Sequence, residues 1–136
     1  MRWQLLNGKT VNHSDNKYRI DWDKPAASKG AQEMQDFFRI IRPHDVWFAE
    51  YRVPASLLRV DYLNATLKLA IEFQGSQHFN YSKHFHGSRA GFLASIKRDV
   101  RKMEILELNG YKVIEIDSKD LPLTKNSFLE KFGILL

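Results

Sequence analysis

Three strand-like runs separated by very short connections are the strongest constraint on how this chain can fold. Residues 46–53, 57–63 and 67–73 are rich in aromatic and branched side chains, the composition of β-strands. Residues 64–66 have the length and polarity of a hairpin turn. Since connections this short join only antiparallel neighbours, the sequence predicts a three-strand antiparallel meander.

Helical periodicity lies on both sides of the meander. Over residues 29–41 apolar side chains recur every three or four positions, after Ser28 as a potential N-cap and before Pro43, which predicts an amphipathic helix. A second periodic stretch runs over residues 92–106 and ends at Asn109-Gly110, a typical helix stop.

The fold class follows from the order of these elements. Residues 111–116 form another strand-like run, and a helix between two strands allows the later strand to run parallel to one of the earlier ones. The sequence therefore predicts an α/β fold with a mixed central sheet of about four strands flanked by helices. Thr124 is expected to cap a last helix within residues 117–136.

Composition favours one domain, with residues 28–116 as its core and residues 1–27 as an N-terminal extension. The chain has 136 residues, 43% of them hydrophobic, and no cysteine, which suits a single packed core and excludes disulfides and thiolate zinc sites. In the extension we expect a hairpin of residues 2–6 with 17–22 around a turn at Asn7-Gly8.

The charge balance and the absence of long apolar runs indicate the compartment and the kind of partner. The formal charge is +5 and the isoelectric point is near 9.5, a balance that favours a polyanionic partner. Neither a membrane-spanning run nor a signal peptide is visible, so we expect a soluble, intracellular, cytoplasmic protein with no membrane partner.

Two carboxylates near the ends of adjacent strands are the first candidates for chemistry. Asp61 and Glu72 lie on either side of the predicted hairpin turn, and charged groups in apolar strands are costly unless they are paired or bind a metal. Their oxygens suit Mg²⁺ or Mn²⁺, although exposure of both on a solvated sheet face explains the pattern equally well. Glu33, in the second turn of the first helix, is a third candidate or simply a solvated helix glutamate.

These residues resemble a known signature. Asp61 followed by Glu72-Phe73-Gln74 resembles the Asp…Glu-x-Lys motif of the PD-(D/E)XK nuclease superfamily, with Gln74 in place of the usual lysine. The segments 75–78, 97–102 and 108–114 are similar to the branch that contains the very-short-patch repair (Vsr) endonucleases. The segments 28–33 and 48–54 resemble the start of phage Holliday-junction-resolving endonucleases.

The resemblance implies a restriction-endonuclease-like core and a role for each matched residue. Asp61 and Glu72 would ligate Mg²⁺, for which Mn²⁺ could substitute, and the Phe73 carbonyl could complete the site. Glu33 would ligate the metal or orient its water, and Gln74 would orient the attacking water without supplying charge.

Basic residues and histidines after the third strand are the remaining candidates. In the resemblance His78 assists catalysis or contacts phosphate, and the usual lysine can come from the next helix. The alternative for the basic residues is a solvated surface that attracts phosphate. An ion pair explains Asp99 equally well. The candidate DNA-binding side chains are Arg89, Lys97, Arg98, Arg101 and Lys102, and the other two loop histidines, His84 and His86, are expected to face solvent or DNA.

Taken with the resemblance, these residues predict a Mg²⁺-dependent endodeoxyribonuclease that acts on branched or structured DNA, as a homodimer. A mismatch- or site-specific nicking enzyme of the Vsr or homing type is one alternative. A DNA-binding module with a degenerate site, or a domain whose basic face binds an acidic protein, are two others. A phage source is consistent with the same resemblance.

Overall fold

The computed structural model describes residues 1–56, 58–74 and 100–136. The described strands are β1 (Arg2–Gln4), β2 (Thr10–Asn12), β3 (Trp47–Arg52), β4 (Arg59–Asn64), β5 (Leu69–Gln74) and β6 (Lys112–Asp117). The described helices are α1 (Lys29–Ile41), the helical residues 100–108, labelled α2, and α3 (Lys125–Phe132). None of these helices combines the length and the apolar content needed to cross a bilayer.

The central sheet has the predicted mixed topology. Its four strands lie in the order β3-β4-β5-β6. The β3-β4 and β4-β5 pairs are antiparallel, whereas β5 and β6 are parallel. The α/β fold class and the meander with one parallel strand are therefore confirmed for the described residues.

The sheet is covered on both faces, by different helices. On one face α1 and α3 contribute Met34, Phe38 and Phe128 to a core that also contains Trp47 and Ile71. On the opposite face α2 and the N-terminal hairpin bury a second set of side chains, which includes Trp3, Tyr51, Ile105 and Leu106. The described sheet therefore lies between two packed layers.

The ends of the helices follow the predicted signals. The Ser28 hydroxyl accepts a hydrogen bond from the Ala31 N–H at 3.2 Å, and Thr124 caps α3 in the same way. After α2, Gly110 adopts a φ of +84°, a conformation that costs glycine little. Local side-chain chemistry therefore sets these boundaries.

The second strand of the N-terminal hairpin differs from the prediction. Gly8, with a φ of +83°, turns the chain so that Thr10–Asn12 pairs with Arg2–Gln4. Residues 17–22 instead begin within a short 3-10 turn, Asn16–Tyr18, and make an isolated bridge from Arg19 to Phe48 of β3. The turn reverses the chain within a few residues, so the nearer segment forms the pair.

Asp15 joins this N-terminal region to the sheet. The Tyr51 hydroxyl donates a hydrogen bond to Asp15 Oδ1 at 2.5 Å, and the terminal amine of Met1 lies 2.6 Å from Oδ2. Burial alone would raise the pKa of Asp15, but hydrogen bonds from the amine, Tyr51 and His13 hold it below its ordinary value of 3.8. The charged form of this carboxylate therefore stabilises the fold.

We expect Asp15→Asn to lower the free energy of unfolding by about 1–3 kcal/mol at neutral pH, the range for hydrogen bonds to a charged group. Because the folded pKa is depressed, this stabilisation is present above pH 4 or so and is lost as the pH falls through the folded value. Urea unfolding at pH 7 and at pH 3 measures the difference, with the exposed Asp23→Asn as control. A difference equally large at both pH values would contradict the assignment.

Candidate functional site

β4 and β5 separate at the position of the first predicted carboxylate. The last pair in their register is Tyr62 with Ile71. Beyond it, Asp61 Oδ2 accepts a hydrogen bond from the Phe73 N–H at 2.8 Å, so a side chain serves as the acceptor for this backbone donor. β5 continues beside β6 as far as Gln74. Asp61 is therefore held at an opening between two strands of the sheet.

The backbone of β3 is unusual beside the same residue. Glu50 has a φ of +48°, which a residue with a Cβ adopts only at some cost in energy. Phe48 and Tyr51, three positions apart, both pack into the core on the α2 face, so the two-residue alternation of the strand is broken. The break lies between the registered pairs on either side of Asp61.

Lys102 of α2 bridges the two separating strands. Its Nζ lies 2.5 Å from Glu72 Oε1 on β5 and 3.2 Å from the Arg59 carbonyl oxygen on β4. The Lys102 side chain is 12% exposed and that of Glu72 is 20% exposed. Since the ion pair is largely removed from water, its charges are only weakly screened.

The electrostatics of Glu72 reflect three neighbours. Its pKa is raised to about 7: burial is the largest cause, the hydrogen bond and charge of Lys102 oppose it, and the Asp61 carboxylate adds to it. Asp61 Oδ2 lies 2.8 Å from the backbone nitrogen of Phe73, the residue after Glu72, so both carboxylates belong to the same strand opening. A further cation at the opening would favour the ionised form of both carboxylates.

The start of α1 packs directly onto the strand that carries Glu72. A Cβ placed on Gly30 would lie 2.7 Å from Cζ of Phe73, so a side chain at position 30 would require the Phe73 ring to shift. The first turn of α1 is thereby fixed against β5, one residue from Glu72 and one from Gln74. Gly30 thus allows the close approach of α1 to β5, the strand that carries Glu72.

A cleft of about 1140 Å³ opens between this helix start and the sheet. One wall is formed by residues 17–21 and 24–31, whose charged members are the four cations Lys17, Arg19, Lys24 and Lys29 and one carboxylate, Asp21. The opposite wall is formed by the sheet, and its lining residues are Ala49, Glu50, Asp61, Tyr62, Phe73 and Gln74. Cationic side chains thus face the candidate carboxylate wall; we call this space the α1 cleft.

Gln35 of α1 lines the α1 cleft and is 8% exposed. Its Nε2 donates a hydrogen bond to the Tyr62 hydroxyl at 2.7 Å. Its Oε1 has no hydrogen-bond partner among the described residues. A buried acceptor without a donor costs about 1–3 kcal/mol, so this amide calls for a group that can enter the cleft and donate to it.

The donor set at the strand opening fits a magnesium ion. Proteins usually hold Mg²⁺ through one or two carboxylates, while water and phosphate oxygens fill its remaining positions. Asp61 and Glu72 provide two adjacent carboxylates of this kind. Among residues 1–56, 58–74 and 100–136 no group of three or more His, Asp or Glu side chains could hold a metal ion, so these two would act with phosphate and water.

The structure brings some of the predicted site residues together and leaves others apart. Asp61, Glu72, Phe73 and Gln74 lie at the strand opening, and Lys102 reaches it from α2. The side chains of Glu33 and Arg101 are exposed, and Glu33 does not line the α1 cleft. Six predictions fall outside the described residues: His78, His84, His86, Arg89, Lys97 and Arg98.

Two residues of the site were not predicted. Glu50 was missed because nothing in the sequence marks a left-handed backbone within a strand-like run. Gln35 was missed because a polar residue in an amphipathic helix is ordinarily assigned to the solvent face. The sequence signal for the burial of Gln35 was its position on the apolar stripe of the helix, one residue after Met34.

Comparison with known proteins gives viral relatives. The chain is 31% identical over 80 residues to the uncharacterized protein 307L of invertebrate iridescent virus 6, covering 57% of this chain and 41% of that protein. It is 38% identical over 60 residues to the uncharacterized protein 094L of frog virus 3 (isolate Goorha), covering 43% and 39%. A third relative, the uncharacterized protein 033L of invertebrate iridescent virus 3, is 28% identical over 69 residues, covering 51% and 36%. The chain spans about two fifths of the length of these relatives, and no family model matches it.

Proposed function

We propose that the chain is a Mg²⁺-dependent endonuclease that hydrolyses phosphodiester bonds in branched or otherwise structured DNA, on a restriction-endonuclease-like core. The observation that carries the proposal is the grouping of two carboxylates, Asp61 and Glu72, with the ammonium group of Lys102, 2.5 Å from Glu72. Acidic ligands for a metal and a cation near the reacting phosphate are the components that phosphodiester hydrolysis requires.

Each residue at the opening has a role in this proposal. Asp61 and Glu72 hold the metal, which when bound supplies positive charge to stabilise the transition state of the phosphate. Lys102 orients the Glu72 carboxylate and favours its ionised form against the effect of burial. It also adds positive charge beside the phosphate, in the place of the lysine that Gln74 replaces. The Gln74 amide orients water by hydrogen bonding.

Cleavage assays with the wild-type chain test this proposal. A four-way junction, a flap, a mismatched duplex, a linear duplex and supercoiled plasmid are incubated with Mg²⁺, with Mn²⁺ and with EDTA. We expect cleavage with either metal, fastest on the junction, and none in EDTA. Symmetric cuts on opposing strands of the junction would support the proposed homodimer. Intact substrates in every metal-containing reaction would refute the nuclease.

A DNA-binding module without catalytic activity is the second candidate. It is favoured by Gln74 in place of lysine and by the position of Lys102, which already neutralises Glu72. Isothermal titration with Mg²⁺ separates the two candidates. The nuclease requires binding that depends on Asp61 and Glu72, whereas the binding module requires salt-sensitive DNA affinity with no bound metal.

A further inference from the structure

We infer that the α1 cleft accepts one unpaired nucleotide of DNA, with its base directed toward Gln35 and its phosphates along the cationic wall. The inference rests on the proposed function and deepens it, because it names the substrate class: DNA in which a nucleotide beside the cut site is single-stranded or can leave the helix. Three observations carry it.

The size of the cleft is the first observation. Its volume of about 1140 Å³ is close to the upper end of the roughly 300–1,000 Å³ that enclose a drug-sized ligand. A mononucleotide belongs to this size class, whereas a paired duplex keeps its base edges inside the helix. Only a nucleotide that is out of the base stack can bring its base into such a space.

The distribution of charge is the second observation. Lys24 and Lys29 line the cleft at the start of α1, and Lys17 and Arg19 extend the cationic wall along the preceding segment. Side chains of this kind and a helix N-terminus both attract phosphate. The opposite wall holds Asp61 but not Glu72, so a strand lying along the cations places a neighbouring phosphate beside one of the two candidate metal ligands.

The unpartnered amide of Gln35 is the third observation, and it points to a base rather than to phosphate alone. Its Oε1 is an acceptor without a donor among the described residues, in a side chain that is more than nine-tenths buried. The exocyclic amines and ring N–H groups of bases are donors, and glutamine amides commonly bind base edges. A phosphate has no donor to offer this oxygen.

Fluorescence polarisation in EDTA tests the inference without any cleavage. The probes are a labelled single-stranded decamer, the same decamer with a central abasic site, and the corresponding duplex. We expect the wild-type chain to prefer the intact single strand to the abasic one by about three- to tenfold, the worth of one hydrogen bond with base contacts, and to bind the duplex more weakly.

Two pairs of variants separate base contact, phosphate contact and structural effects. Gln35→Met keeps the volume but removes the amide, and should abolish the preference for the intact strand. Gln4→Met makes the same change at an exposed position on β1, away from the cleft, and should retain that preference. Lys29→Gln should weaken both single strands alike, whereas Lys125→Gln, at the matching first position of α3, should weaken neither.

Several outcomes would overturn the inference: equal affinity for the intact and abasic strands, tighter binding of the duplex, or a preference that survives Gln35→Met. The cleavage assays are independent of this one. A chain that shows the base-dependent affinity but cuts no DNA keeps the nucleotide pocket and refutes the nuclease. A chain that cuts DNA but shows no base-dependent affinity keeps the nuclease and refutes the nucleotide pocket.

Discussion

Replacing Asp61 with alanine or asparagine is expected to reduce Mg²⁺-dependent cleavage by at least about 100-fold, the effect of removing one group that stabilises transition-state charge. Both variants lose the negative charge that the proposed metal requires. Asparagine, however, can still accept the hydrogen bond from the Phe73 N–H, which is 2.8 Å long in the wild type. The asparagine variant therefore separates the loss of charge from the loss of structure.

Initial rates on the junction substrate, together with urea unfolding, measure both effects. The free energy of unfolding of Asp61→Asn should lie within about 1 kcal/mol of the wild-type value, because the backbone hydrogen bond is kept. Asp23→Asn, at an exposed aspartate whose side chain is 89% accessible, is the matched control and should leave the rate unchanged. An Asp61→Asn variant that cleaves at the wild-type rate would exclude Asp61 as a metal ligand.

Replacing Lys102 with methionine is expected to move metal binding and catalysis in opposite directions. The variant keeps the apolar stem that packs at the strand opening but leaves Asp61 and Glu72 without the ammonium group 2.5 Å from Glu72. The loss of the ammonium group removes its repulsion of a divalent cation, so Mg²⁺ should bind tighter. Cleavage should fall by about 100-fold, because positive charge beside the reacting phosphate is lost.

Isothermal titration gives the Mg²⁺ affinity of the variant, and saturating Mg²⁺ in the cleavage assay removes any effect of occupancy on the rate. Lys102→Arg keeps a positive charge and should bind Mg²⁺ about as the wild type does. Lys125→Met, at the exposed first position of α3, should change neither quantity. If Lys102→Met binds Mg²⁺ more weakly and cleaves normally, Lys102 has only a structural role.

Most of the sheet could be predicted from sequence because its signals are local. The strand-like runs, the turn after Asn64 and the caps at Ser28 and Thr124 each depend on a few neighbouring residues. The pairing of residues 17–22 could not be predicted, since the runs at 10–12 and 17–22 are both compatible with a hairpin. The tight turn at Gly8 decided between them.

The candidate site was predictable in its strand residues and not in its helix residues. Asp61 and Glu72 are placed by the hairpin, whose short turn leaves little freedom in the register. The rotation of a helix about its axis depends on distant packing, so a sequence cannot show whether Glu33 or Gln35 faces the sheet. Met34 and Phe38 are buried, and this places Gln35 rather than Glu33 over the α1 cleft.

The hairpin that carries the two carboxylates has a consequence for the order of folding. Asp61 and Glu72 are close in sequence, so closing the chain between them costs little entropy. Lys102 and the parallel strand β6 join only after a much longer segment has closed. We therefore expect the acidic half of the site to form early and its neutralising cation to arrive late. A folding chain would pass through a stage in which this acidic pair has formed without the Lys102 ammonium group and is open to a dissolved cation.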